Sequence, residues 1–240
     1  MKMVMDADSF IYSTAAKMLQ ENPFAPGVKV SNWTQVRESF IKKTQFLKEK
    51  LELSDLVMYI SGPNNFRYTL DMTYKAGRKS IEPPMHLGDL KQYAIEYLGA
   101  IRSDGAEADD YVISHKLFDP SVMVAAIDKD VCNSIAGKHY NYWKEEFIEV
   151  NQKTASQWPF IQTLMGDGGD GIPGLWKVGI KTAQKILGDE ECPIKLWKLV
   201  TQAYEERGIA VESAIKTMRL VRMDQFNHKT KELKLWEPLI

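Results

Sequence analysis

Three short apolar runs mark the chain, at residues 2–5, 56–60 and 122–127. Each is continuously apolar and does not alternate, which is the pattern of strands buried on both faces. Between them the apolar period lengthens. Phe10, Ala15, Met18 and Leu19 recur at helical spacing, and so do Val36, Phe40, Phe46, Leu47 and Leu51 within a helix predicted over 33–53. Further helices are expected over 87–97 and from 104–110 onward through Tyr111, Val112 and Ile113. Residues 22–30, with two prolines and a glycine, read as loop, and Pro83-Pro84 breaks the chain. Residues 140–150 alternate loosely and suit edge strands. After 154 the pattern turns helical, over 156–165, 180–187, 193–204 and 211–221. Phe40, Phe46, Trp158 and Trp197 are expected in the core. Strands alternating with helices predict a parallel sheet covered on both sides, an α/β fold, followed by a helical region. The boundary is placed between 1–153 and 154–240.

Composition narrows the class. The chain has 240 residues, 44% hydrophobic and 26% charged, as expected of a soluble globular protein. No apolar run approaches a membrane span, and the N-terminus turns acidic too soon for a signal peptide. Cys132 and Cys192 form neither a disulfide framework nor a metal-ligand pair, and the four histidines show no ligand spacing. A cytoplasmic protein is the expectation. The formal net charge is −1, so any affinity for nucleic acid has to reside in local basic patches.

The chemistry is carried by acids. In a parallel sheet the site lies beyond the carboxyl ends of the strands. Two of the three apolar runs end there in aspartate, at Asp6 and Asp128, and the third ends at Ser61. The candidates are Asp6, Asp8, Glu107, Asp109, Asp110, Asp128, Asp130, Asp167 and Asp170, drawn from four segments. Each segment has a plain alternative as helix cap, first-turn acid or solvated turn, and Asp8 reads as a cap or turn. Together, so many carboxylates cannot share a pocket unneutralised, because like charges raise one another's pKa. Hard divalent cations are the natural solution, above all Mg²⁺, with Mn²⁺ as a substitute. Two such ions about 3.5–4 Å apart serve phosphodiester hydrolysis. Beside Asp167 and Asp170 runs a glycine hairpin, Gly174 to Gly179, entering a helix at Lys181-Thr182. Glycines and a helix N-terminus favour phosphate there. Lys177, Lys181 and Lys185, spaced by four, suit the backbone of a duplex; a solvated helix face is the alternative.

These segments resemble the 5′-nuclease family: flap endonucleases, the 5′-nuclease domain of bacterial DNA polymerase I, and phage 5′-3′ exonucleases of the T7 type. The residues carrying the resemblance are Asp6-Ala7-Asp8-Ser9, Tyr74 to Lys79, Glu107 to Asp110, Asp128 to Asp130 and Gly166 to Gly174, in family order. The tail from Leu220 to Pro238 extends it, at lower specificity. The resemblance implies a PIN-like parallel-sheet nuclease core followed by a helix–three-turn–helix (H3TH) DNA-binding region. It implies that Asp6, Glu107, Asp109, Asp110, Asp128, Asp130, Asp167 and Asp170 hold metal, that Lys75 contacts the scissile phosphate, that Tyr74 stacks on the terminal base, and that Arg78 and Lys79 guide the 5′ strand. Gly174, Lys177, Gly179, Lys181, Thr182 and Lys185 would grip the duplex, with a monovalent cation at the 174–179 hairpin. The implied activity is 5′-3′ exonuclease or flap endonuclease action on duplex DNA with a 5′ end or flap, by a monomer, extending to RNA–DNA hybrid. A phage-encoded protein would act in the host cytoplasm. Two positions depart from the family pattern. Ser61 stands where an aspartate is usual, and Lys177 where glycine is usual. The competing expectations are a PIN-type ribonuclease and a DNA-end-binding protein without catalysis.

Overall fold

The computed structural model describes residues 1–77 and 82–238. The apolar run after Lys2 forms strand β1 (Lys2–Asp6), and helix α1 (Asp8–Lys17) follows directly. The expected loop at 22–30 is pinched by a two-residue ladder between β2 (Gln20–Glu21) and β3 (Lys29–Val30). Helix α2 (Trp33–Lys50) starts where the Asn32 side chain accepts the Gln35 N–H, a conventional N-cap. Then come β4 (Asp55–Ile60), the single turn α3 (Arg67–Leu70), α4 (Leu87–Leu98), β5 (Ile101–Arg102), α5 (Ala108–Phe118), β6 (Met123–Ala125) and α6 (Lys129–Asn133). Strands β7 (Gly137–Asn141) and β8 (Glu146–Val150) form a hairpin. The remainder is α7 (Gln152–Met165), a small ladder of β9 (Gly166–Asp167) with β10 (Ile172–Pro173), and α8 (Ile180–Leu187), α9 (Pro193–Glu205) and α10 (Val211–Val221).

Six strands make the main sheet in the order β5-β4-β1-β6-β7-β8, all parallel except the edge strand β8. The chain runs outward from β1 to one side and returns at β6 to build the other. The direction of winding therefore reverses between β1 and β6, and crevices form at such reversals. Asp6 and the Asp128 segment flank it.

Burial on both faces explains the unbroken apolar runs. In β1, Met3 and Met5 join the core under α1, α2 and α4, while Val4 joins the core under α5. A separate core unites α7, α8, α9 and α10 around Trp158, Leu164, Trp197 and Met218. The chain then returns to the sheet, where Phe226 stacks on Tyr111 at 5.3 Å between ring centres. Phe40, Trp158 and Trp197 are buried as expected, but Phe46 is 54% exposed. Phe40, Thr44 and Leu47 take the inward face of α2, and Phe46, about 100° around the helix from Leu47, is turned to the side where it meets the Lys50 ammonium. Among the described residues, no helix is long and apolar enough to cross a membrane.

Candidate active site

The end of the sheet gathers acids by local rules. Asp6 closes β1, and its Oδ1 accepts the Asp8 N–H at 3.0 Å. Asp128 caps α6 by accepting the Asp130 N–H at 2.7 Å. Glu107 stands at the N-cap of α5, where its backbone N–H donates to Asp110 at 3.0 Å. Asp167 lies at the end of β9, and its Oδ1 accepts the Gly169 N–H at 2.8 Å. These hydrogen bonds fulfil the plain alternatives of caps and turns, yet they also fix the direction of each carboxylate. One pocket results, lined by Asp6, Asp8, Glu107, Asp109, Asp128, Asp130, Asp167 and Asp170.

Lys75 enters this pocket from the opposite wall. Its ammonium lies 2.5 Å from Glu107 and 3.6 Å from Asp170. Its backbone sits in the left-handed region (φ 54°), held by donation of its N–H to the Asp170 carbonyl at 2.8 Å. A non-glycine residue in that conformation stores strain, a feature common at functional sites. Burial acts against charge on both Lys75 and Glu107, but their mutual attraction prevails. Lys75 is pushed up and Glu107 down, so both stay ionised. Asp6, Asp109 and Asp130 lack such a partner. Burial, with Asp8 close by, raises Asp6 to about 7, and burial beside Asp128 raises Asp130 to about 7. Asp109 rises for the same reasons, burial first and then Asp6.

The donor set suits a hard cation. Asp109 Oδ1, Asp130 Oδ1 and Gln162 Oε1 are buried without a hydrogen-bond partner, and all three residues line the pocket. An acceptor surrounded by acceptors is satisfied only by a cation or by the water a cation orients. Among the described residues, no three acids are gathered tightly enough to hold one ion in this arrangement. Mutual repulsion and the interposed Lys75 ammonium keep them apart.

Several expectations are corrected. Asp110, expected with the metal ligands, is fully buried and absent from the pocket lining. Its two oxygens accept a bidentate pair of hydrogen bonds from Arg67, at 2.6 and 2.8 Å. Tyr74, expected to stack on a base, is 3% exposed. Its ring packs with Ile172, Leu220 and Val221, and its hydroxyl donates toward Glu107 (2.8 Å) and Asp170 (3.1 Å). It positions acids and offers no free face. Gly174, expected to admit phosphate, is required by packing as well. A Cβ there would stand 2.1 Å from the Met165 carbonyl carbon and 2.3 Å from the Gly166 nitrogen. Asp8 lines the pocket and makes no side-chain cap on α1.

The expected basic surface is exposed: Lys177, Gly179, Lys181, Thr182 and Lys185 all face solvent. Gly179 has open space where a Cβ would be, so an anion can approach the start of α8. Lys177 takes the left-handed φ of 59° that a glycine would adopt freely. Arg78 and Lys79 lie outside the described residues.

Two pocket residues, Gln162 and Arg67, escaped the sequence reading, whereas Asp8 was among its candidates as a cap or turn. Gln162, on α7, gives no signal apart from helical spacing. Arg67 is a lone arginine in a polar run, and its partners lie far along the chain.

Comparison with known proteins bears on this arrangement. No family model matches the chain. The 5′-3′ exonuclease of Buchnera aphidicola is 26% identical over 161 residues, 55% of this chain and about half (51%) of that protein. The exonuclease of Escherichia phage T7 is 24% identical over 244 residues, covering 85% of this chain and 81% of its own. In sequence the chain is similar to proteins named as exonucleases. In fold it is similar to the bacteriophage T5 flap endonuclease, solved with DNA and metal ions (TM-score 0.64, 15% identity, 92% of this chain and 89% of that one). That likeness extends through the sheet and the helices of the C-terminal half, so the α/β architecture is shared.

Proposed function

We propose that the chain is a divalent-metal-dependent 5′ nuclease, acting as a 5′-3′ exonuclease and flap endonuclease on duplex DNA. The observation that carries this is the pocket in which carboxylates from four segments surround Lys75, with buried acceptors left open toward a cation. Asp6, Glu107, Asp109, Asp128, Asp130, Asp167 and Asp170 are the residues that would hold Mg²⁺, with Mn²⁺ able to replace it. Bound there, two such ions supply an activated water and charge relief for the leaving oxygen. The chain's own groups do the rest. Lys75 releases its carboxylate partners to place its ammonium against the scissile phosphate. Tyr74 and Asp110 hold Glu107 in place. Lys181, Lys185 and the open start of α8 grip phosphates of the duplex, and Lys177 adds a contact from the turn.

The division near residue 153 would then separate the catalytic core from an H3TH-type DNA-binding region. A monovalent cation at the 174–179 hairpin, action on RNA–DNA hybrid, a monomeric state and a cytoplasmic setting belong to the same proposal. Duplex, 5′-flap and hybrid substrates labelled internally, incubated with Mg²⁺ beside Asp128→Asn/Asp130→Asn, provide the test. Metal-dependent release from the 5′ end, lost in the variant, is expected. Tight binding of DNA with no cleavage in Mg²⁺ or Mn²⁺ would overturn the enzymatic assignment.

A further inference from the structure

Asp8 sits in the first turn of α1 but contributes nothing to capping it. Its N–H donates back to Asp6, while its carboxylate crosses to the neighbouring strand. Oδ2 accepts the Ser61 N–H at 2.9 Å, and Oδ1 accepts the Lys91 ammonium. Strands β1 and β4 run parallel with Asp6 opposite Tyr59, so Ser61 lies just beyond the end of β4. Ser61 lines the pocket too, and its hydroxyl accepts the Ala108 N–H at the start of α5 at 3.0 Å. The mouth of β4 therefore carries an acid that α1 supplies. That acid lines both the cation-seeking pocket and the groove beside it, where Lys91 resides. Two further acceptors face the same pocket without a donor: Asp130 Oδ1 and Gln162 Oε1, on residues 7% and 2% exposed.

We propose that Asp8 is a further metal-facing carboxylate of this site, delivered across the end of β4, and that Lys91 is its resident counter-charge. The proposal rests on the metal-dependent site described above. Both side chains are about a quarter exposed (27% for Asp8, 28% for Lys91), so the ammonium can withdraw into solvent when a cation arrives. In the alternative role, Asp8 merely complements the dipole of α1. Such a role needs its charge at the helix start, and an acid placed at residue 61 could not replace it.

That difference sets the experiment. Mn²⁺ is titrated into the full chain and free Mn²⁺ is followed by electron paramagnetic resonance, for wild type, Asp8→Asn, Asp8→Asn/Ser61→Asp and Lys91→Met, each checked for a native thermal melt. Asp8→Asn is expected to weaken Mn²⁺ by about tenfold or more, as loss of a group supporting a metal does. Ser61→Asp in that background is expected to restore most of the affinity, because it returns a carboxylate to the same mouth. Lys91→Met is expected to tighten binding several-fold. Unchanged affinity in Asp8→Asn, or weakened affinity that Ser61→Asp leaves weakened, refutes the proposal while the metal site stands. Failure of the wild type itself to bind Mn²⁺ overturns the metal site and the role of Asp8 together.

Discussion

Removing the Arg67 guanidinium should cost the protein much of its stability. Arg67 is 2% exposed and meets four acceptors. Two are the oxygens of Asp110, one is the Leu220 carbonyl at 2.7 Å, and one is the Arg222 carbonyl at 2.8 Å. Glu107 lies 3.8 Å away. Burial opposes the charge on both partners: it raises Asp110 against the pull of Arg67, while the charge of Asp110 and its hydrogen bonds raise the guanidinium pKa above its ordinary value. In Arg67→Met the Asp110 carboxylate is left buried and alone, which costs about 3–5 kcal/mol. Each carbonyl left without a donor adds about 1–3 kcal/mol, reduced where the chain relaxes. A loss of about 5 kcal/mol is a large share of the roughly 5–15 kcal/mol that holds a domain folded. At this chain length it corresponds to a drop in melting temperature of roughly 10–20 °C.

The assay is urea unfolding followed by circular dichroism on wild type, Arg67→Met, Arg67→Lys and Arg67→Met/Asp110→Leu. Lysine keeps the charge but cannot present the planar fork, so its loss should fall between wild type and Met. Removing the stranded acid as well should recover about 2 kcal/mol or more, since an apolar replacement of a whole buried pair is close to neutral. A loss below about 1 kcal/mol in Arg67→Met, or a double variant no more stable than the single, would refute the argument.

Other outcomes follow from the pocket. Asp6 and Asp130 titrate near 7 when folded, against 3.8 for an ordinary aspartate, so the folded state holds extra protons between those values. Their contribution to stability is complete below pH 4 and is lost as pH rises through 7. In EDTA the melting temperature should fall from pH 5 to pH 7.5, and Mg²⁺ should abolish the fall; a rise in EDTA would contradict the assignment. Glu107, shifted down by its cationic neighbours, contributes in the opposite sense, with stability that is lost as pH falls. Gln162→Leu removes an orphaned acceptor, so it should stabilise the metal-free protein by about 1 kcal/mol while weakening Mn²⁺ binding; equal stability and equal affinity would show that Gln162 Oε1 is satisfied. Lys181→Ala/Lys185→Ala should weaken duplex binding regardless of sequence and reduce the slope of log K against log salt by about 2. An unchanged slope would remove these lysines from the interface.

What could be read in the sequence was what repeats locally. β1, β4 and β6 stood out because both their faces are covered, so their central residues had to be apolar. The acids stood out because caps and strand ends recur beside turn residues. What could not be read depends on distant partners. Strand β5 has two residues and exists because Tyr59 and Ile60 offer it a ladder. Arg67 is explained only by Asp110, 43 residues away, and by Leu220, 153 residues away. Tyr74 looked like a surface ring beside lysine, and only the packing of α10 shows that it is enclosed. Phe46, by contrast, is apolar, but at about 100° per residue it stands off the stripe of Val36, Phe40 and Leu47, so its exposure was legible in the spacing. Gly174 looked like a phosphate-binding glycine, although its lack of a Cβ serves contact with the end of α7.

These long-range contacts also decide how the pocket balances its charge. Eight carboxylates line it, against two cations, Arg67 and Lys75. Arg67 is spent on Asp110, which lies outside the lining, and Lys75 is shared between Glu107 and Asp170. Lys91 offsets Asp8 from the side. That leaves Asp6, Asp109, Asp128, Asp130 and Asp167 without a fixed cation of their own, and burial drives three of them upward, Asp6, Asp109 and Asp130. Near neutral pH they can hold protons or a divalent ion, but not both. Metal binding therefore displaces protons, and affinity should climb with pH through the range in which Asp6 and Asp130 titrate. The pocket is stable without metal because protons and lysines stand in for it, and it is primed for metal because the protons are held only weakly at pH 7.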